Sequence, residues 1–168
     1  MGFVPMLSQV RALSLALIVW AAFITPFSPA RSETPDGGKT IVFVCQHGVV
    51  NSQMAAAYFN RIAKERGLPF AAVSRGIDLY KSIPVRIRDS LALDGLEPAN
   101  APAALTAAEA EHARRVLAFD VIPADQMGQA SVTYWAGVPV GIDDYQATRD
   151  EIARRVDELI PTLTKASN

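Results

Sequence analysis

Cys45 is the only cysteine in the 168-residue chain, and its neighbours make it a candidate nucleophile. The run Thr40-Ile-Val-Phe-Val-Cys45 is apolar and β-branched. It passes into Gln46-His47-Gly48-Val49-Val50 and then, at Asn51-Ser52, into a helical pattern. A thiolate is the reactive form of cysteine, and the N–H groups at a helix N-terminus attract anions. The predicted chemistry is therefore a thiol beneath an oxyanion held by Gln46, His47, Gly48, Val49, Val50, Asn51 and Ser52. The alternative is a cysteine that serves as a small buried hydrophobe. His47 brings a titratable ring to the rim, either as a catalytic group or as a partly exposed loop residue. One Cys and two His (His47 and His112) cannot assemble a metal cluster, so no metal and no cofactor is expected.

The elements that must position Cys45 follow from pattern. Residues 40–44 read as a buried strand. Ser52 to Arg66 reads as a helix stopped by Gly67 and Pro69, and Phe70 to Ser74 as a second strand. Pro84 to Leu93 is a short helix with Gly95 just past its end. Thr106 and Glu109 form a capping box for a helix to about Ala113. Arg115 to Phe119 is a third strand, and Ser131 to Trp135 a weaker fourth. Ile152, Val156, Leu159, Ile160 and Leu163 share one face of a last helix that Asp143 or Asp144 caps. Strands alternating with helices predict right-handed βαβ units and a parallel sheet.

The first 32 residues stand apart. Arg11 precedes the uncharged run Leu13 to Phe27, and Ala30-Arg31-Ser32 offers small residues for cleavage. This is the pattern of a secretory signal peptide. The run is shorter than the ~20 residues a spanning helix needs, and Pro26 interrupts it. The expected organisation is a signal peptide at 1–32, a polar linker at 33–39 and one domain at 40–168, with a periplasmic or secreted destination. Without residues 1–32 the chain keeps 14 basic and 17 acidic side chains, a net charge of −3. No block of like charge points to nucleic acid or to a membrane surface after cleavage. A lone cysteine allows no internal disulfide.

An ordered set of motifs carries a resemblance over about residues 40–163. It consists of the Cys45 loop with Ser52, Ser74-Arg75-Gly76, Leu105-Thr106 with Glu109, Phe119-Asp120, Trp135-Ala-Gly-Val-Pro139 and Thr148-Arg-Asp-Glu-Ile152. Together they resemble the low-molecular-weight protein tyrosine phosphatase and arsenate reductase superfamily. The resemblance implies a three-layer α/β/α fold with a four-stranded parallel sheet and Cys45 as nucleophile. It also implies that Gly48 takes the left-handed conformation of the family's loop asparagine, and that Ser52 hydrogen-bonds the Cys45 sulfur.

Two positions depart from the family pattern. Asn51 stands where the family has an arginine, whose loss from phosphoryl-transfer sites costs roughly 10³ to 10⁵ in rate. Val138 stands where the family's general acid precedes a proline, and such an acid contributes about 10² to 10⁴. Asp143 and Asp144 are the nearest substitutes, although an N-cap is their simpler role. Asp120 and Asp125 read as solvated loop acids. The two further cysteines of thioredoxin-coupled arsenate reductases are absent. The expected function is an exported domain of this type with weak or no phosphatase activity, binding a small oxyanion (phosphate, sulfate or arsenate) or a phosphorylated ligand. Alternatives are an active cysteine-dependent phosphatase, a single-cysteine arsenate reductase, or a non-catalytic interaction module. The sequence does not set the oligomeric state.

Overall fold

The computed structural model describes residues 37–165, together with Met1 and Gly2. Apart from those two residues, the expected signal peptide lies outside the described residues, as does the linker before Gly37. A 3₁₀ turn at Gly37–Lys39 leads into β1 (Thr40–Cys45), α1 (Asn51–Glu65), β2 (Ala71–Gly76), α2 (Val85–Leu93) and α3 (Ala107–His112). β3 (Arg115–Ala118), α4 (Ala124–Met127), β4 (Val132–Tyr134) and α5 (Tyr145–Lys165) follow. The strands form one all-parallel sheet in the order β2-β1-β3-β4. This is the expected three-layer fold. The one-turn α4 was not expected, and other element ends move by a residue or two. Among the described residues, no helix is long and apolar enough to cross a membrane.

The continuous apolar strands read as they do because both faces of the sheet are covered. Side chains alternate along a strand, so Ile41, Phe43 and Leu117 join a core with α1, α2 and α5. Val42, Val44, Val116 and Ala118 join a second core with Leu105, Ala110 and Ile122. In α1, Asn51 through Phe59 are all buried, and the small side chains of Ala55, Ala56 and Ala57 suit close packing. Phe43 anchors an aromatic group, with ring centroids 5.4 Å from Trp135 and 6.1 Å from Phe59. Thr106 caps α3 by accepting from Glu109 N at 3.2 Å. The Glu109 carboxylate pairs bidentately with Arg75 instead of turning back to the cap, at 2.7 and 2.5 Å.

Asp94, just past α2, ties three helices together. One of its oxygens accepts from the hydroxyls of Tyr58 in α1 and Tyr145 in α5, the latter at 2.8 Å. Arg149 lies 3.6 Å from the other oxygen. Burial, helped by the bond to Asp94, pushes the Tyr58 hydroxyl up to about 12. Burial alone would raise Asp94, but the two tyrosine hydroxyls and the arginines outweigh it and hold the carboxyl below its ordinary range. A raised phenol favours the fold below its unfolded value of 10.0 and loses that contribution as pH rises towards about 12. A lowered carboxyl contributes above its ordinary range and loses its share as pH falls through the folded value. Tyr58→Phe should therefore cost about 1.5–3 kcal/mol at neutral pH, the value of a hydrogen bond to a charged group, and should soften the alkaline fall in melting temperature. Denaturant unfolding at neutral and alkaline pH tests this; unchanged neutral stability would contradict it.

Candidate active site

β1 lies between β2 and β3, so its C-terminal end sits at the point where the strand order reverses, the usual ligand crevice of an open parallel sheet. The loop leaving Cys45 packs against the end of β2. Gly48 has φ +68°, and a Cβ there would lie 2.7 Å from Gly76 N. A Cβ on Gly76 would lie 2.9 Å from Gly48 N. This close approach fixes where the loop carbonyls go. Gln46 O accepts from Ile77 N and Asp78 N at 3.0 and 2.8 Å, and His47 O accepts from Tyr80 N at 3.2 Å. Gly48 O faces Ser74 Oγ at 3.2 Å and Gln53 Nε2 at 3.4 Å. By contrast, none of the N–H groups of residues 47–52 donates to another described residue, and Val50 provides no side-chain cap for α1. Gln46 N is different: it donates to Asp120 Oδ2 at 2.8 Å.

Cys45 is 7% exposed and unpaired. Its sulfur lies 2.9 Å from Ser52 Oγ, which lies 2.8 Å from Ser74 Oγ. Both serines are fully buried. Each hydroxyl carries one proton, so a sulfur that accepts orders the chain as Ser74 to Ser52 to Cys45. Gly48 O is then left to Gln53. His47 is held at the rim: its Nδ1–H donates to Asp78 O at 2.9 Å, and its ring stacks on Tyr80 at 3.8 Å.

Asn51 is 6% exposed and spans to the segment before α5. Its Nδ2 donates to Pro139 O at 2.8 Å, and its Oδ1 accepts from Gly141 N at 2.9 Å. Gly141 is pressed against α1, where a Cβ would lie 2.5 Å from Met54 Sδ. Beside Cys45 lies a cavity of about 200 Å³, lined on its polar side by Gln46, His47, Asn51 and Asp120 and on its apolar side by valines and Phe119.

The model of the low molecular weight phosphotyrosine protein phosphatase family matches residues 40–168. The chain belongs to this family. No curated protein sequence matches it. Among solved structures, this phosphatase-family chain is similar to a cysteine-to-serine mutant of the YwlE arginine phosphatase that carries a phosphorylated active-site serine. The identity is 27% and the TM-score 0.67, over 75% of this chain and 96% of that one. A low molecular weight protein tyrosine phosphatase from Bacillus subtilis is 26% identical, with TM-score 0.64 over 77% and 99%. The thioredoxin-dependent arsenate reductase of Corynebacterium glutamicum shares the fold, at 22% identity and TM-score 0.62 over 76% and 63%.

The structure brings the cysteine and its loop together much as the spacing suggests, with two exceptions. Asp120, read from sequence as a solvated loop acid, binds the first loop amide and lines the cavity. Its signal was the sheet order, since β3 pairs beside β1 with Val44 opposite Ala118. The Asn51 amide is committed to Pro139 and Gly141, a clamp that nothing in the local sequence announces. Val138 lines the cavity as an apolar wall. Asp143 and Asp144 belong to a different cleft, beside Arg86 and Arg149, where Asp144 Oδ1 caps α5 by accepting from Ala147 N at 3.0 Å. Asp125 is exposed in α4. Among the described residues, no cluster of His, Cys, Asp and Glu is arranged to hold a metal ion.

The clamp predicts that Asn51→Ala lowers unfolding free energy by about 1–3 kcal/mol, because it leaves the buried Gly141 N–H unpaired. Hydrogen exchange at Gly141 should accelerate in the same variant. Unchanged protection there would show that Asn51 does not hold the segment.

Proposed function

We propose that this chain is an exported member of the family whose loop 46–52 holds a small oxyanion above Cys45, and which hydrolyses phosphate esters weakly or not at all. The observation that carries the reading is the polarity of the loop. Its carbonyls at 46–48 are taken up by the 74–80 segment and Gln53, whereas its N–H groups at 47–52 meet no acceptor among the described residues. Successive free N–H groups at a helix N-terminus form an anion-binding concavity. The phosphorylated serine in the active site of the similar arginine phosphatase supports the same assignment.

Weak turnover follows from what surrounds the cradle. A guanidinium would meet the flattening phosphoryl group with a bidentate, charge-assisted contact. Asn51 instead gives one of its two Nδ2–H groups to Pro139 O and carries no charge. Val138 offers no proton to a leaving group. A second reading, an active cysteine-dependent phosphatase or single-cysteine arsenate reductase, is favoured by the Ser74–Ser52–Cys45 chain, which aims a hydroxyl at the sulfur.

Aryl phosphate hydrolysis by the protein without residues 1–32 should be hard to distinguish from background. Turnover within tenfold of ordinary phosphatases, abolished by Cys45→Ser, would establish the second reading. Calorimetry should show Asn51→Arg tightening phosphate binding by about 1.5–3 kcal/mol; unchanged affinity would place the anion elsewhere. Export predicts a mature N-terminus between Arg31 and Pro35, read by mass spectrometry of protein from its host. An intact Met1 in the soluble cytosolic fraction would overturn that part.

A further inference from the structure

Among the described residues, Asp120 is the one acidic side chain lining the cavity beside Cys45. It reaches that place from the end of β3, where Phe119 N donates to Val44 O at 2.9 Å and so sets the next residue across the crevice from Cys45. One of its oxygens accepts from the Gln46 amide at 2.8 Å. The other receives no hydrogen bond among the described residues. The chain therefore presents a hydrogen-bond acceptor, and a negative charge, at the edge of a cradle of donors.

We infer that Asp120 makes the site selective for oxyanions that carry a proton, phosphate and arsenate, over the fully deprotonated tetrahedral anion sulfate. This rests on loop 46–52 being the oxyanion site. A hydroxyl on the ligand donates to the free Asp120 oxygen and turns a repulsion into a short O–H···O⁻ bond, which is among the stronger hydrogen bonds. Phosphate and arsenate retain such a proton at neutral pH. Sulfate does not, so two acceptors of like charge would face each other across a hydrogen-bond distance with no proton between them. Among the described residues lining the cavity no arginine offsets that repulsion, and Asn51 is neutral and engaged with Pro139 and Gly141. Donors alone would not separate these anions, which share shape and size. An acceptor placed among donors does.

The test is calorimetry of phosphate, arsenate and sulfate at neutral pH and fixed ionic strength, on the wild-type protein and on Asp120→Asn. The amide can still accept from Gln46 N–H and replaces the second acceptor with a donor. Phosphate and arsenate should bind the wild type on the order of tenfold to a hundredfold more tightly than sulfate. In Asp120→Asn that gap should close to within a few fold, chiefly because sulfate binds better. Asp120→Ser, which removes the charge in a smaller side chain, replaces it if the asparagine variant does not fold. Equal wild-type affinities for phosphate and sulfate overturn the inference and leave the oxyanion site standing. A gap that survives in a folded Asp120 variant also overturns it, placing the selectivity elsewhere. No binding of any of the three overturns the oxyanion reading and the inference with it.

Discussion

The backbones of Gly48 and Gly76 approach so closely that a Cβ on either would sit within 3 Å of the other's main chain, and the site's chemistry depends on that contact. It brings the loop after β1 within hydrogen-bond range of Ile77, Asp78 and Tyr80, whose N–H groups take the loop carbonyls. A peptide unit points its N–H opposite to its C=O. Once the carbonyls of residues 46–48 are drawn to one side, the N–H groups of residues 47–49 are left on the other, and those of 50–52 follow at the head of α1. A side chain at either glycine would separate the two segments, and Gly48 also needs its left-handed conformation. The anion site we propose would therefore be made by backbone.

Around that backbone the side chains define an unusual electrostatic setting. The positive end of α1 contributes at most about 2 kcal/mol toward an anion, and among the described residues lining the cavity no guanidinium adds to it. Asn51 works as a structural pin, joining the head of α1 to the 139–141 segment that walls the cavity. Asp120 brings a negative charge to the rim. The buried Ser52 hydroxyl, itself bonded to Ser74, lies against the sulfur. On the proposed reading, a cradle of neutral donors edged by one acid would suit recognition of an oxyanion better than rapid expulsion of a leaving group.

The fold was legible because its signals are local and mutually consistent. Buried parallel strands read as unbroken apolar runs, and Gly67, Gly95 and Thr106 marked helix ends. α4 was missed because it is a single turn, held by Pro123 and ended by Gly128 at φ 56°, too short to show periodicity. In the candidate site, the Cys45–Ser52 contact and the left-handed Gly48 were legible because the loop is contiguous. Asp120 and the Asn51 clamp were not, since each pairs residues more than 70 positions apart in sequence. The Tyr58–Asp94–Tyr145 node was hidden as well, its pairs lying 36 and 51 positions apart. A carboxylate after a strand looks solvated until the sheet order places that strand beside the nucleophile.

The most direct test of the anion cradle is an amide-resolved titration with inorganic phosphate by ¹H–¹⁵N NMR. The account predicts saturable shifts concentrated at the N–H groups of residues 47–52, smaller shifts at Gln46, whose amide already has Asp120 as partner, and none at the cleft of Arg86 and Arg149. Shifts confined to that arginine cleft, with residues 47–52 unmoved at saturating phosphate, would contradict it.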